Sequence, residues 1–233
     1  LINLTRLQKV LTFFAHPDDE TLAAGATISK LTGLGVEVHA AIPATGNPRR
    51  LKIRGSVSSE KDLEELRKDC RRALRLLGVA PKHVYFGTFS DNEMDKHSLL
   101  EVTLWLENIL NLVEPDLILT HHRFCTNIDH RICHEAAVVA ARPAIDKHIS
   151  ILCGEVPSST GYLRPTGWEP NLYVEVTEPD LEKKLLAMES YRSETRSDPH
   201  PRSREVLKAL AKVRGSEAGF LFAEAFMVHR EFG

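Results

Sequence analysis

Ala15-His16-Pro17-Asp18-Asp19-Glu20 sets one imidazole beside three carboxyls in a short run. Pro17 fixes the backbone direction, so His16, Asp18 and Asp19 leave the turn on different bearings. Two of them can ligate a metal while the third stays free for proton transfer. Helix N-capping by one Asp, with Glu20 as a first-turn charge, explains one acid and leaves the others without a role. A second polar cluster runs from Thr120 through His121, His122, Arg123, Phe124, Cys125, Thr126, Asn127, Ile128 and Asp129 to His130. His16 and Asp19 from the first cluster with His130 from the second give two nitrogens and one oxygen. That is the three-protein-ligand pattern of catalytic zinc, with a position left for water. Asp129 would then orient a neighbouring histidine. Any one of His121, His122 or His130 taken alone is equally a buried histidine with satisfied hydrogen bonds. The donor set favours Zn2+ and also admits Fe2+ or Co2+.

Both clusters follow apolar runs. Lys9 to Ala15 reads as a strand, and Glu20 to Leu34 as a helix with Leu22, Ala26, Ile28 and Leu31 on one side. Gly33 and Gly35 punctuate its end, and Val36 to Ile42 reads as a second buried strand, closing a β-α-β unit. Residues 43–57, with Pro43, Gly46, Asn47, Pro48 and Gly55, form a long loop. A helix from Glu60 to Leu77, capped by Ser59, a strand from His83 to Phe86 and a helix from Leu99 to Val113 follow. A strand from Asp116 to Thr120 and a helix from Ile128 to Ala141 continue the alternation. Such crossovers predict an α/β, Rossmann-like fold, a mostly parallel sheet with helices on both faces and the active site at the carboxyl ends of the strands. Beyond Pro143 the rhythm weakens. Ile149 to Glu155 and Leu172 to Val176 read as strands, and Leu181 to Glu194 and Ser203 to Val213 as helices. This last third is expected to pack on the same core, giving a single domain over residues 1–233.

Composition narrows the function. Thirty Lys and Arg against 32 Asp and Glu leave a net charge of −2, which provides no positive field for gathering nucleic acid or an anionic membrane. No apolar run reaches the roughly 18–20 residues of a membrane span. Residues 1–10 lack the pattern of a signal peptide, which makes the cytoplasm the default expectation. Cys70, Cys125, Cys133 and Cys153 show no C-x-x-C spacing and read as reduced, mostly buried thiols. A metal-free dinucleotide-binding module is disfavoured. No G-x-G-x-x-G follows the first strand, and the acids in that turn would repel phosphate.

With both clusters in order at matching strand ends, the sequence resembles the PIG-L/LmbE family of zinc-dependent deacetylases, which remove an acetyl group from N-acetylglucosamine-type sugars. Ala15 to Glu20 resembles the family's first signature and Asn127-Ile128-Asp129-His130 its second. The likeness runs through Gly25-Ala26-Thr27-Ile28, Leu76-Leu77-Gly78-Val79 and Asp91 to about residue 142. It implies zinc on His16, Asp19 and His130, with Asp18 as general base. Arg67 would grip the substrate and Asp91 would stand near the sugar. Three positions depart from the pattern. Cys70 replaces a usual glutamate, Arg123-Phe124-Cys125 stands where some relatives have Gly-Gly-Asp, and Asn127 replaces a histidine that helps the oxyanion. Asparagine can donate a hydrogen bond to that oxyanion but no acidic proton.

The implied reaction is attack of zinc-activated water on the acetyl amide of a small N-acetylated amino sugar. A metal hydrolase for another amide or ester, or a non-catalytic sugar-binding relative, are the alternatives. Oligomeric state stays open, a homo-oligomer included. Arg49, Arg50, Lys52 and Arg54 would suit an anionic conjugate, or simply form a solvated loop. His200, Arg202 and Arg204 read as structural, on an extended Pro199–Pro201 segment entering a helix capped by Ser203. Glu224 is divided between pairing with a buried arginine and serving the substrate.

Overall fold

Strand β1 (Lys9–Phe13) is apolar on both faces and takes the centre of the sheet, with Val10, Leu11 and Phe13 fully buried. It pairs in parallel with β2 (Glu37–Ile42) and with β4 (Leu117–His121). The computed structural model describes residues 3–46, 60–145, 148–162 and 167–232. Strands β3 (Val84–Phe86), β5 (Ser150–Gly154), β6 (Leu172–Glu175) and β7 (Ala223–Arg230) complete a seven-stranded sheet in the order β3-β2-β1-β4-β5-β7-β6. The first five are parallel, and β7 runs antiparallel to both β5 and β6.

Alternation along β1 sorts its side chains into two cores. Val10 and Phe14 face one that also holds Leu22, Ile28, Leu74 and Leu185. Leu11, Phe13 and Ala15 face the other, with Val102, Leu106 and Ala136. The first core is covered by α1 (Asp19–Gly33), α2 (Glu60–Leu76) and α5 (Glu178–Ser190). The second is covered by α3 (Leu99–Val113) and α4 (Ile128–Ala140). The last helix, α6 (Arg204–Ala218), packs on β7. No described helix is long and apolar enough to cross a membrane.

Helix ends follow local chemistry. Ser98 and Glu101 form a reciprocal capping box at the start of α3. Thr177 and Asp180 form another at α5, which therefore begins at Glu178, before the expected Leu181, and ends at Ser190. α6 continues past Val213 until Gly219, at φ 78°, turns the chain. Ser59 and the basic residues Arg49, Arg50, Lys52 and Arg54 lie outside the described residues. All four cysteines are free and buried.

Two expectations for the last third need correction. Residues 223–230 form a strand that the sequence reading did not recognise. Glu224 interrupts its apolar pattern, and an antiparallel strand needs no helical crossover to announce it. Glu224 itself pairs with a lysine, not with an arginine. Its carboxylate accepts from the backbone N–H of Ala26 (3.1 Å) and Thr27 (2.7 Å), and it lies 2.6 Å from Lys184 Nζ. Lys184 also donates to the Leu22 carbonyl at 2.7 Å. Its stem crosses Gly25, where an added Cβ would stand 2.9 Å from Lys184 Cγ. α1, which begins with Asp19, is thus locked to α5 and β7 along its back. Glu224→Ala strands the Lys184 charge in the core and is expected to cost about 3–5 kcal/mol in urea unfolding. A loss below about 1 kcal/mol would contradict the role of this pair.

Candidate metal centre and pocket

The turn between β1 and α1 is strained where it matters. Asp18 has φ 108° and ψ −30°, a region that non-glycine residues rarely enter. It occupies the N-cap position of α1, yet its side chain caps nothing and is left for the cavity. The backbone is held on both sides. Leu22 N–H donates to the Asp18 carbonyl at 2.8 Å, and Asp18 N–H donates to Glu20 Oε2 at 3.2 Å. Glu20 is fully buried and also accepts from Thr21 Oγ1 (2.7 Å) and from the Tyr191 hydroxyl (2.5 Å). Burial pushes its carboxyl pKa up, and the hydroxyl donors only partly offset this.

Three side chains from the two loops converge. Asp19 Oδ2 lies 3.1 Å from His16 Nδ1 and 3.0 Å from His130 Nε2, and the two nitrogens are 3.3 Å apart. The opposite ring nitrogens are occupied. His16 Nε2 faces Asp129 Oδ2 at 2.9 Å and Asp91 Oδ1 at 3.0 Å. His130 Nδ1 faces Cys125 Sγ at 3.1 Å. Asp129 is fixed in turn by the backbone N–H groups of Asn92 (2.6 Å) and Met94 (3.1 Å). His121 stacks on His130 with centroids 3.7 Å apart, and its Nε2 accepts from Ala15 N–H at 2.8 Å. His122 is buried against Phe124 and Trp168, away from the trio.

The electrostatics describe a cluster short of positive charge. Burial alone would lower the pKa of His16, but hydrogen bonds to Asp129, Asp19 and Asp91 raise it well above the usual imidazole value. His130 is likewise opposed by burial and lifted to about 9, chiefly by Asp19. Burial works against the Asp19 carboxylate, yet His130, His16 and His121 hold it well below the usual range. Two imidazoles and a carboxylate thus meet, with their other atoms tied to fixed partners. This donor set fits a divalent zinc-like ion.

His16 and His130 stand in the wall of a cavity of about 900 Å³, lined also by Asp18, Asp91, Asn127 and Arg202 among others, with Asp19 buried beside them. Asn127 caps α4. Its Oδ1 accepts from Asp129 N–H at 2.8 Å and its Nδ2 donates to Asn92 Oδ1 at 3.0 Å. Arg67 is not among the lining residues. It bonds Thr45 through Nε (3.3 Å, to Oγ1) and Nη2 (3.1 Å, to the carbonyl), and so stands behind a residue that does line the cavity.

The structural reading of the Pro199–Pro201 segment holds for Arg204, which pairs with Glu182 and Glu189 on α5. It fails for Arg202. This guanidinium lies 2.9 Å from Asp18 Oδ2 and also pairs with Glu194. His200 lines the cavity as well. Burial raises the Asp18 pKa well above its ordinary value, Arg202 opposes that rise, and neighbouring Asp19 adds to it. The only sequence signal for Arg202 was an excess of acids in the first cluster that demands a cation from somewhere in the chain.

A family model, PIG-L, described as GlcNAc-PI de-N-acetylase, matches residues 11–141, more than half of the chain. The chain belongs to the PIG-L family. A similar curated protein is the probable N-acetyl-alpha-D-glucosaminyl L-malate deacetylase 2 of Bacillus cereus, 28% identical over 217 residues, covering 91% of this chain and 92% of the relative. The fold is shared with the N,N'-diacetylchitobiose deacetylase of Pyrococcus horikoshii, at 24% identity and TM-score 0.76 over 97% of this chain and 85% of the other. It is also shared with GalB, the 4-carboxy-2-hydroxymuconate hydratase of Pseudomonas putida, at 17% identity and TM-score 0.72 over 97% of this chain and 98% of the other. A hydratase on the same fold means that architecture alone does not name the reaction in this PIG-L protein, and the side chains must.

Asp129→Asn keeps the shape but weakens the acceptor behind His16. It is expected to lower Zn2+ affinity about 10–100-fold. Competition with a chromophoric chelator measures this, and unchanged affinity would remove Asp129 from the role.

Proposed function

We propose that this PIG-L protein is a zinc-dependent deacetylase that hydrolyses the acetyl amide of an N-acetylated amino sugar. The observation that supports this most is the convergence of His16, Asp19 and His130 at the edge of the cavity, whose wall holds the two histidines and Asp18 on its strained backbone. The Bacillus relative, whose name carries an N-acetylglucosaminyl deacetylase activity, supports the substrate class.

His16, Asp19 and His130 would hold the zinc ion, which when bound supplies a Lewis acid that polarises the acyl carbonyl and brings the pKa of water towards roughly 7. The remaining work falls to this chain. Asp18 accepts the proton of the attacking water and delivers it to the departing amine nitrogen, so that one carboxyl serves as base and then as acid. Arg202, at 2.9 Å, holds that carboxyl in place and keeps its charged form accessible despite burial. Asp129 accepts from His16 Nε2, which leaves Nδ1 as the ligand atom. Asn127 Nδ2 carries a second hydrogen besides the one given to Asn92, and we assign it to the oxyanion. Asp91 offers carboxylate oxygens to sugar hydroxyls from the cavity wall. Arg67 acts on the substrate indirectly, by bracing Thr45.

Acetate release from an N-acetylated amino sugar tests the reading. Chelation should abolish it and added Zn2+ restore it. Asp18→Asn should retain zinc and lose roughly 10²–10⁴ in turnover. A near-normal rate in that variant would overturn the assignment. Arg202→Met should reduce kcat at least tenfold with little change in KM, whereas Arg202→Lys recovers part of the loss. A change confined to KM would make Arg202 a substrate contact instead.

A further inference from the structure

A second group of ligand atoms gathers at the other end of the strands, and the proposed reaction does not use it. Glu37 and His39 are two residues apart on β2 and so leave the same face of the sheet. The parallel pairing of β2 with β3 matches Ala40 to Val84, which brings His83, the residue before β3, up beside His39 on the neighbouring strand β2. The two imidazoles stack with centroids 4.0 Å apart and planes inclined by 23°. His39 Nε2 is 2.8 Å from Glu37 Oε1. One ligand atom from each of the three residues lies within 4.8 Å of the other two.

From this juxtaposition we propose that Glu37, His39 and His83 form a peripheral site for a late first-row divalent ion, Zn2+ foremost. A tetrahedral zinc ion with bonds of about 2.0–2.1 Å spaces its ligand atoms roughly 3.3 Å apart. The Glu37 side chain is 46% accessible and free of packing that would hold it at its present 2.8 Å from His39 Nε2, so it can move to that spacing, while the ligand atom of His83 already lies within 4.8 Å of both. His39 is set by the backbone of β2, and His83 ends the 3-10 turn Pro81–His83 that leads directly into β3, so little ordering is needed on binding. His39 is also oriented from behind. Its Nδ1 lies 3.2 Å from the hydroxyl of Tyr85, whose ring is nearly parallel to it at 6°. With the metal on Nε2, the ring carries its proton on Nδ1 and donates it to the Tyr85 oxygen, the outer-sphere arrangement usual for a ligating histidine. The chemical set, two nitrogens and one oxygen with open positions, discriminates against Mg2+ and Ca2+. Occupancy would clip the short edge strand β3, only three residues long, to β2.

Asp19→Ala removes a ligand of the first centre and leaves the peripheral site as the one under test. Tag-free protein is titrated with Zn2+ alone, reading stoichiometry and the thermal midpoint. Wild type should bind two equivalents, and His83→Asn and Asp19→Ala one each. Zinc should raise the midpoint of Asp19→Ala, and this rise should vanish in Asp19→Ala/His83→Asn. His83→Asn should leave acetate release unchanged. If Asp19→Ala binds no zinc, or if the double variant binds as Asp19→Ala does, the peripheral site is overturned. Those results leave the catalytic reading untouched, since loss of that reading shows in Asp18→Asn and not in either midpoint.

Discussion

Everything at the candidate centre depends on the parallel register of β1 against β4, which matches Phe13 to Thr120. Because the two strands end level, the chain leaving β1 reaches His16 beside the chain leaving β4, although His16 and His130 are 114 residues apart. The Ala15 N–H to His121 Nε2 bond ties the two exits together directly, and the His121 ring then underlies His130. A one-residue slip of either strand would turn its core side chains to the opposite face and carry the ligands apart. The apolar residues of β1, buried on both faces, make such a slip costly. The hydrophobic sheet thereby sets positions that the polar groups, which repel or compete for protons, could not set for themselves.

The last third of the chain supplies what the first two-thirds lack. Asp18, Asp19 and Glu20 are almost completely buried, and isolated carboxylates in such a place would neutralise. Tyr191 at the end of α5 donates to Glu20, Arg202 pairs with Asp18, and Lys184 pairs with Glu224 behind α1. Tyr191 and Arg202 thus meet acids of the β1–α1 turn, while Lys184 and Glu224, both from the last third, pair with each other and with the backbone of α1. Strand β7, inserted antiparallel between β5 and β6, places Glu224 where it can reach the backbone of α1. The C-terminal segment is therefore a source of counter-charge as well as of packing.

This division explains what could be read from the sequence. The β/α alternation to residue 141, the ends of α3 and both polar clusters were legible because they are local. They consist of short apolar runs, capping residues and motifs in which the spacing carries the information. The Arg202–Asp18 and Lys184–Glu224 pairs were not legible, since each joins residues far apart and no periodicity records such a pairing. β7 escaped for a related reason. A charge inside its apolar run reads as an interruption until its partner on α5 is known. The position of Arg67 behind Thr45 was equally hidden, because a helical residue's reach depends on how its helix docks.

The departures at positions 125 and 127 acquire a physical sense from the charge balance. Asp18, Asp19, Asp91 and Asp129 surround or approach the two imidazoles, and Arg202 is the cation facing Asp18 among them. His16 already leans on a carboxylate, Asp129, through its outer nitrogen. A second carboxylate behind His130 would deepen an excess of negative charge that already lifts that imidazole to about 9. Cys125 fills the place with a polarisable sulfur 3.1 Å from His130 Nδ1; burial pushes its thiol pKa up, but the hydrogen bond to His130 brings it below the ordinary value. Asn127 caps α4 and orders Asp129 without adding an ionisable group to the cavity wall. The centre keeps enough negative charge to draw a divalent ion, and Asn127 at the start of α4 adds no further charge to it.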